Sequence, residues 1–116
     1  MTVHHQTYLI TERASISDAL AAITENRRGA VIVVGKNRTL VGVVSDGDIR
    51  RALVKGGTTL TPLQKIVNMN VMAVKYNQNL KKESKRIFDK YAGINLIPVI
   101  DERNRVADVV VRGVTT

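Results

Sequence analysis

The pattern strand, helix, strand, turn, strand is written twice in this chain of 116 residues. In the first copy, Thr7 to Thr11 reads as a short extended segment. Ser15 is a helix N-cap, and Ile16, Ala19, Leu20 and Ile23 follow at the spacing of one helix face. Arg27-Arg28-Gly29 ends that helix. Ala30 to Val34 is an apolar, β-branched strand, Gly35 to Arg38 a turn, and Leu40 to Val44 a returning strand. In the second copy, Val71 to Val74 is a short strand. Leu80, Ser84, Ile87, Phe88 and Tyr91 share one helix face, while Lys81, Lys82, Lys85, Arg86 and Lys90 form a solvated one. Leu96 to Ile100, a turn at Asp101 to Asn104, and Val106 to Val111 complete the copy. Pro98 lacks an N–H, so a sheet edge or a gap in pairing is expected there. The helix starts (Ile16 and Leu80) lie 64 residues apart and the turns (Gly35 and Asp101) 66 apart, which marks an internal repeat. Neither copy can cover both faces of its own sheet. The repeat therefore constrains the fold to the α+β class: two β-α-β-β(-α) units packed sheet to sheet about a pseudo-twofold axis. The units are residues 7–57 and 58–116, joined through the polar, glycine-rich stretch Gly56 to Thr61. Pro62 suits the first turn of a short helix, Pro62 to Val67.

Within the first copy, one stretch carries the polar chemistry. Leu40 to Val44 hands over to a helix, Ile49 to Val54, through Ser45-Asp46-Gly47-Asp48. Asp48 reads as the N-cap of that helix, and Gly56-Gly57 as its stop. A helix N-terminus offers unpaired N–H groups and a partial positive charge, which suit a phosphate. Ser45 can donate to a phosphate oxygen, and the Asp48 carboxylate can accept from a ribose hydroxyl pair. The same four residues are also ordinary cap-and-turn choices, and spacing alone favours that plainer role.

Composition narrows the function classes. A chain of this length buries roughly 65% of its unfolded surface, enough for a real core. It has no cysteine, hence no disulfide framework and no thiolate chemistry. There is no run of 18 apolar residues and no signal-peptide pattern, so a soluble cytoplasmic protein without membrane association is expected. The formal charge of +8 is spread over both halves and favours an anionic ligand or partner. Nucleic acid is disfavoured as that partner, because aromatics make up only 3% of the chain and poorly supply a base-stacking platform. His4 and His5 have no carboxylate or Cys partner nearby and read as part of a frayed terminus, not as metal ligands. No Ser/Cys–His arrangement with a third member is present, and Asp46 and Asp48 splay apart at a helix entry. No catalytic residue and no metal site are assigned.

Two such repeats, the first closed by Gly42-x-x-Ser45-x-x-Asp48, resemble a cystathionine-β-synthase (CBS) domain pair, also called a Bateman module. The resemblance covers residues 7–116. The segment Gly42-Val43-Val44-Ser45-Asp46-Gly47-Asp48-Ile49-Arg50-Arg51 is similar to CBS pairs attached to sugar-phosphate nucleotidylyltransferases and arabinose-5-phosphate isomerases. The resemblance implies a regulatory module, without catalysis of its own. It implies an AMP- or ATP-like nucleotide bound between the repeats as regulatory ligand, with no required cofactor. It gives Ser45 the phosphate and Asp48 the ribose hydroxyls. It places the base by position against Tyr8, Leu9 and Ile10 and against Arg28, Gly29 and Ala30, with Arg50 and Arg51 adding positive charge at the phosphates. It further implies a disc-like homodimer and a fused or associated sugar-nucleotide enzyme. The second copy departs from the motif: Asp108, Val111 and Val114 stand where Gly42, Ser45 and Asp48 stand in the first. Valine can neither donate to a phosphate nor hold a diol, so the second site is expected to differ. The chain stops at Thr116, where the closing helix of the second repeat is due, so a fragment, a missing helix or one supplied differently is expected. Two rivals stand beside this reading: a ligand-free structural or dimerisation module, and a nucleic-acid-binding protein.

Overall fold

A computed structural model describes residues 5–114. The elements in chain order are α1 (His5–Tyr8), β1 (Leu9–Thr11), α2 (Ile16–Asn26), β2 (Ala30–Val34), β3 (Leu40–Ser45) and α3 (Asp46–Val54), then β4 (Val74–Lys75), α4 (Leu80–Lys90), β5 (Leu96–Ile100) and β6 (Val106–Val111). Single 3-10 turns occur at Lys36–Arg38 and Leu63–Lys65. The strands form two three-stranded sheets in the orders β1-β2-β3 and β4-β5-β6, each with one parallel and one antiparallel pairing. The repeat is thus realised strand for strand.

The alternation of side chains along a strand divides the core into three layers. Val31, Val33 and Val44 point to one face of the first sheet, where Ile16, Ala19 and Ile23 of α2 and Ile49 of α3 bury against them. Ile32 and Val34 point to the other face and meet Leu96, Val109 and Val111 of the second sheet. Val74 and Ile97 face outward again and pack on Ile87 of α4. The middle layer is the sheet-to-sheet packing that the repeat calls for. Two contacts mark its pseudo-twofold axis. Thr39 and Arg105, which are 66 residues apart, pair with one another in an isolated bridge. At the opposite end Asn95 Nδ2 donates to the Arg28 carbonyl at 3.0 Å, joining the loops that lead into β5 and β2.

Several local expectations are corrected. Thr7 and Tyr8 end a helical turn, and pairing with β2 starts only at Leu9. The helix expected from Pro62 is a single 3-10 turn at Leu63–Lys65 with Pro62 before it. It is held there because the Leu63 and Gln64 N–H groups donate to the Ala14 and Glu12 carbonyls. The strand expected at Val71–Val74 pairs only at Val74 and Lys75. Pro98 sits in the central strand, not at an edge, and its missing donor falls in a gap. Arg112 N–H donates to the Asn95 carbonyl, so by alternation Pro98–Val109 is a pair without ladder bonds. On the other side, pairing with β4 begins only at Val99. His4 lies outside the described residues.

Candidate functional site

The start of α3 is built by a capping box, which moves the roles read from the sequence. Ser45, not Asp48, is the N-cap: its Oγ accepts the Asp48 N–H at 3.2 Å. Asp48 sits at the third helical position and returns the bond, its Oδ2 accepting the Ser45 N–H at 2.9 Å. The helix therefore opens at Asp46, three residues earlier than expected, because a serine followed three residues later by an acid satisfies two end donors together. The other Asp48 oxygen, Oδ1, accepts from Arg51 Nη2 at 2.8 Å.

Sheet register brings the other named segments to this place. Ala30 is the partner of Ser45, and the Asp46 N–H donates to the Gly29 carbonyl at 2.9 Å. Asn26, a buried residue at the end of α2, donates to the carbonyls of Thr7 (2.6 Å) and Ala30 (3.0 Å) and accepts the Arg28 N–H (2.7 Å). It clamps the entry of β1 to the entry of β2. Sequence reading missed Asn26; the signal for it was a polar residue three positions after Ile23 and seven after Ala19, on the buried face of the helix.

Tyr8, Arg28, Gly29, Ala30, Ser45, Asp48 and Arg51 thus gather at one end of the first sheet. Tyr8 and Leu9 pack toward the inter-sheet layer, whereas Ile10 packs on the opposite face among α2 and the 3-10 turn. The three are not side by side on one face. Arg50 is exposed. Half-buried Arg28 reaches across to the second repeat, its Nη1 donating to the Arg112 carbonyl at 3.3 Å. Arg112 itself holds the end of α4: its guanidinium donates to the carbonyls of Phe88, Tyr91 and Ile94 at 2.7–3.0 Å and lies over the Phe88 ring. A hollow of about 350 Å³ lined by Lys75, Tyr76, Ile100 and Glu102 lies at the hairpin-turn end, away from Ser45. Asp101 beside it has a pKa below the ordinary value, chiefly because it accepts the Arg105 N–H. The chemistry at Ser45 is that of a small polar rim with a hydroxyl, carboxylates and a guanidinium. Among the described residues no group of three or more His, Cys, Asp or Glu is placed to hold a metal ion, and no helix is long and apolar enough to cross a membrane.

With this geometry in hand, comparison with known proteins gives consistent findings. The family model described as CBS domain matches residues 4–55. Arabinose 5-phosphate isomerase GutQ of Escherichia coli strain CFT073 is 32% identical over 93 residues, covering 80% of this chain and 28% of the isomerase. The chain therefore spans less than a third of that relative's length. A CBS domain pair/ACT domain protein from Thermotoga maritima is similar in structure, with a TM-score of 0.76 at 18% identity, over 90% of this chain and 80% of that one. CBSX2 in complex with AMP gives a TM-score of 0.74 at 23% identity, over 97% and 87%.

Proposed function

The CBS domain family model matches residues 4–55 and the fold is that of a CBS domain pair; on these grounds we propose that the chain is a regulatory module that binds an adenine nucleotide or nucleotide-sugar between its repeats. In this reading Ser45 meets a phosphate and Asp48 the ribose hydroxyls. Tyr8 and Leu9, with Arg28 to Ala30, line the base, and Ile10 supports them from beneath. Arg50 and Arg51 add positive charge beside the phosphates. The module works in the cytoplasm as a homodimer and governs a fused or partner enzyme without reacting itself. The name of the isomerase relative supports an enzyme of sugar phosphates as that partner. The exposed Leu53 and Val54 on α3 support association of two chains.

One observation carries the reading: the fold gathers Arg28, Gly29 and Ala30 from one segment and Ser45 and Asp48 from another to one sheet end. A similar structure was solved with AMP. The rival, a ligand-free structural module, has its own observation: the Ser45 hydroxyl and both Asp48 oxygens already have partners inside the chain. Thermal melting with AMP separates the two. A nucleotide at one hundred times its dissociation constant stabilises the folded chain by about 2.7 kcal/mol. For a chain of this size that raises the melting temperature by roughly 10 °C. In Asp48→Asn the remaining oxygen can still close the capping box, so the ligand-free melting point changes little. The shift with AMP should shrink to a small fraction. A full shift in the variant would leave Asp48 a cap alone, and no shift in either protein with any adenine nucleotide or nucleotide-sugar would favour the structural module.

A further inference from the structure

Arg51 stands one turn along α3 from Asp48 and occupies the carboxylate oxygen that a ribose would need. Its Nη2 donates to Asp48 Oδ1 at 2.8 Å, while Oδ2 is held by the Ser45 N–H at 2.9 Å. The guanidinium has a seat. A Cβ on residue 47 would lie 3.1 Å from Arg51 Nη1 and 3.4 Å from Nη2, so the group lies close over Gly47 on the first turn of the helix. A cation therefore lies directly beside the carboxylate.

We propose that Arg51 is the specificity residue of the Ser45–Asp48 site, making it select phosphorylated ligands over bare nucleosides; the inference rests on the nucleotide reading above. A phosphate draws the guanidinium to itself. That movement frees Asp48 Oδ1 to accept a ribose hydroxyl, so one group's recognition unlocks the other's. A nucleoside brings no anion. It must displace Arg51 from Asp48 and leaves that cation with solvent alone. The contact is weak enough to open: the Arg51 side chain is 66% exposed, against 19% for Asp48. Exposed pairs of this kind hold only weakly, so displacing Arg51 lowers nucleoside affinity by about two- to fivefold. A guanidinium–phosphate contact raises nucleotide affinity by roughly tenfold or more.

The test is calorimetric titration of the whole chain with AMP and with adenosine, for wild type and Arg51→Gln. Wild type should prefer AMP. In Arg51→Gln, AMP should bind about tenfold more weakly. Adenosine should bind equally well or up to about fivefold more tightly, because Asp48 is no longer covered. Arg51→Lys, which keeps the charge but loses the fork, should fall between. Because Arg51 is exposed, the variant should melt close to wild type, which a thermal scan checks. Equal weakening of both ligands in Arg51→Gln, or no change in either, would overturn the specificity role while leaving the nucleotide reading in place. A wild type that binds neither AMP nor adenosine would overturn the role together with the reading beneath it, and that outcome is visible before any variant is made.

Discussion

Gly42 opens the motif Gly42-x-x-Ser45-x-x-Asp48, yet what fixes its identity is packing. A Cβ there would lie 2.3 Å from the Asn68 carbonyl oxygen and 2.7 Å from a Val67 methyl. The chain after the 3-10 turn passes over β3 at this point and exchanges two bonds with Val43, at 2.9 and 3.0 Å. The nearer neighbour, Asn68, meets it with backbone, which cannot swing aside as a side-chain tip can. Gly42→Ala should therefore destabilise the fold by about 1–3 kcal/mol through overpacking. Urea unfolding followed by circular dichroism measures this, and an unchanged midpoint would show that the crossing segment yields freely. Spacing alone flagged the glycine but gave no reason for it, since the reason lies in a segment 25 residues further on. The neighbouring acid shows the same limit. The distance from Ser45 to Asp48 was plain in the sequence, but which of the two caps the helix depends on backbone geometry, and the capping box resolved it toward Ser45.

At the level of elements, the strands marked by apolar, β-branched runs were the most legible. The boundaries of β2, β5 and β6 match their apolar runs, because each must feed two cores at once. Short segments defined by contacts were not legible: α1 and the two-residue β4 have too few residues for any period. Helix ends fall in the same class. The end of α2 is a backbone turn at Arg27, whose left-handed conformation the Arg-Arg-Gly sequence only hinted at. The end of α4 is held by a side chain from afar. Arg112 brings a cation to the negative end of the helix dipole and satisfies carbonyls that the helix leaves open. It also stacks on Phe88, with its Cζ 4.6 Å from the ring centroid. Bonds from a charged group are worth roughly 1.5–3 kcal/mol each at most, and these share one side chain. Arg112→Gln should lower global stability by about 2–3 kcal/mol and speed hydrogen exchange at the end of α4 ahead of α2. Uniform acceleration across both helices would argue against a local clasp.

At the scale of the whole molecule, the pseudo-twofold axis relates two halves that share a backbone and not a chemistry. The repeat was legible because it is written in apolar positions, which the shared inter-sheet layer constrains in both halves alike. The difference between the halves was also legible, residue against residue, but its consequence needed coordinates. Val111, the counterpart of Ser45, is 6% exposed and belongs to the inter-sheet core. Arg112, the counterpart of Asp46, turns its guanidinium back onto the end of α4 and offers its own carbonyl to Arg28. The second half thus closes on itself where the first presents a hydroxyl and two carboxylates. If the chain binds a nucleotide as proposed, it should bind one per chain and two per homodimer. Sedimentation would fix the mass, and calorimetry with AMP on the same material would fix the stoichiometry. Ser45→Ala together with Asp48→Ala should then abolish all the heat of binding. The Ser45→Ala change removes an N-cap and lowers stability by about 1 kcal/mol, so the double variant is titrated well below its melting point. Loss of only half the heat, or two nucleotides per wild-type chain, would mean that the valine-lined half binds as well. A monomeric mass at high concentration would remove the dimer and leave the one-per-chain expectation to stand on calorimetry alone.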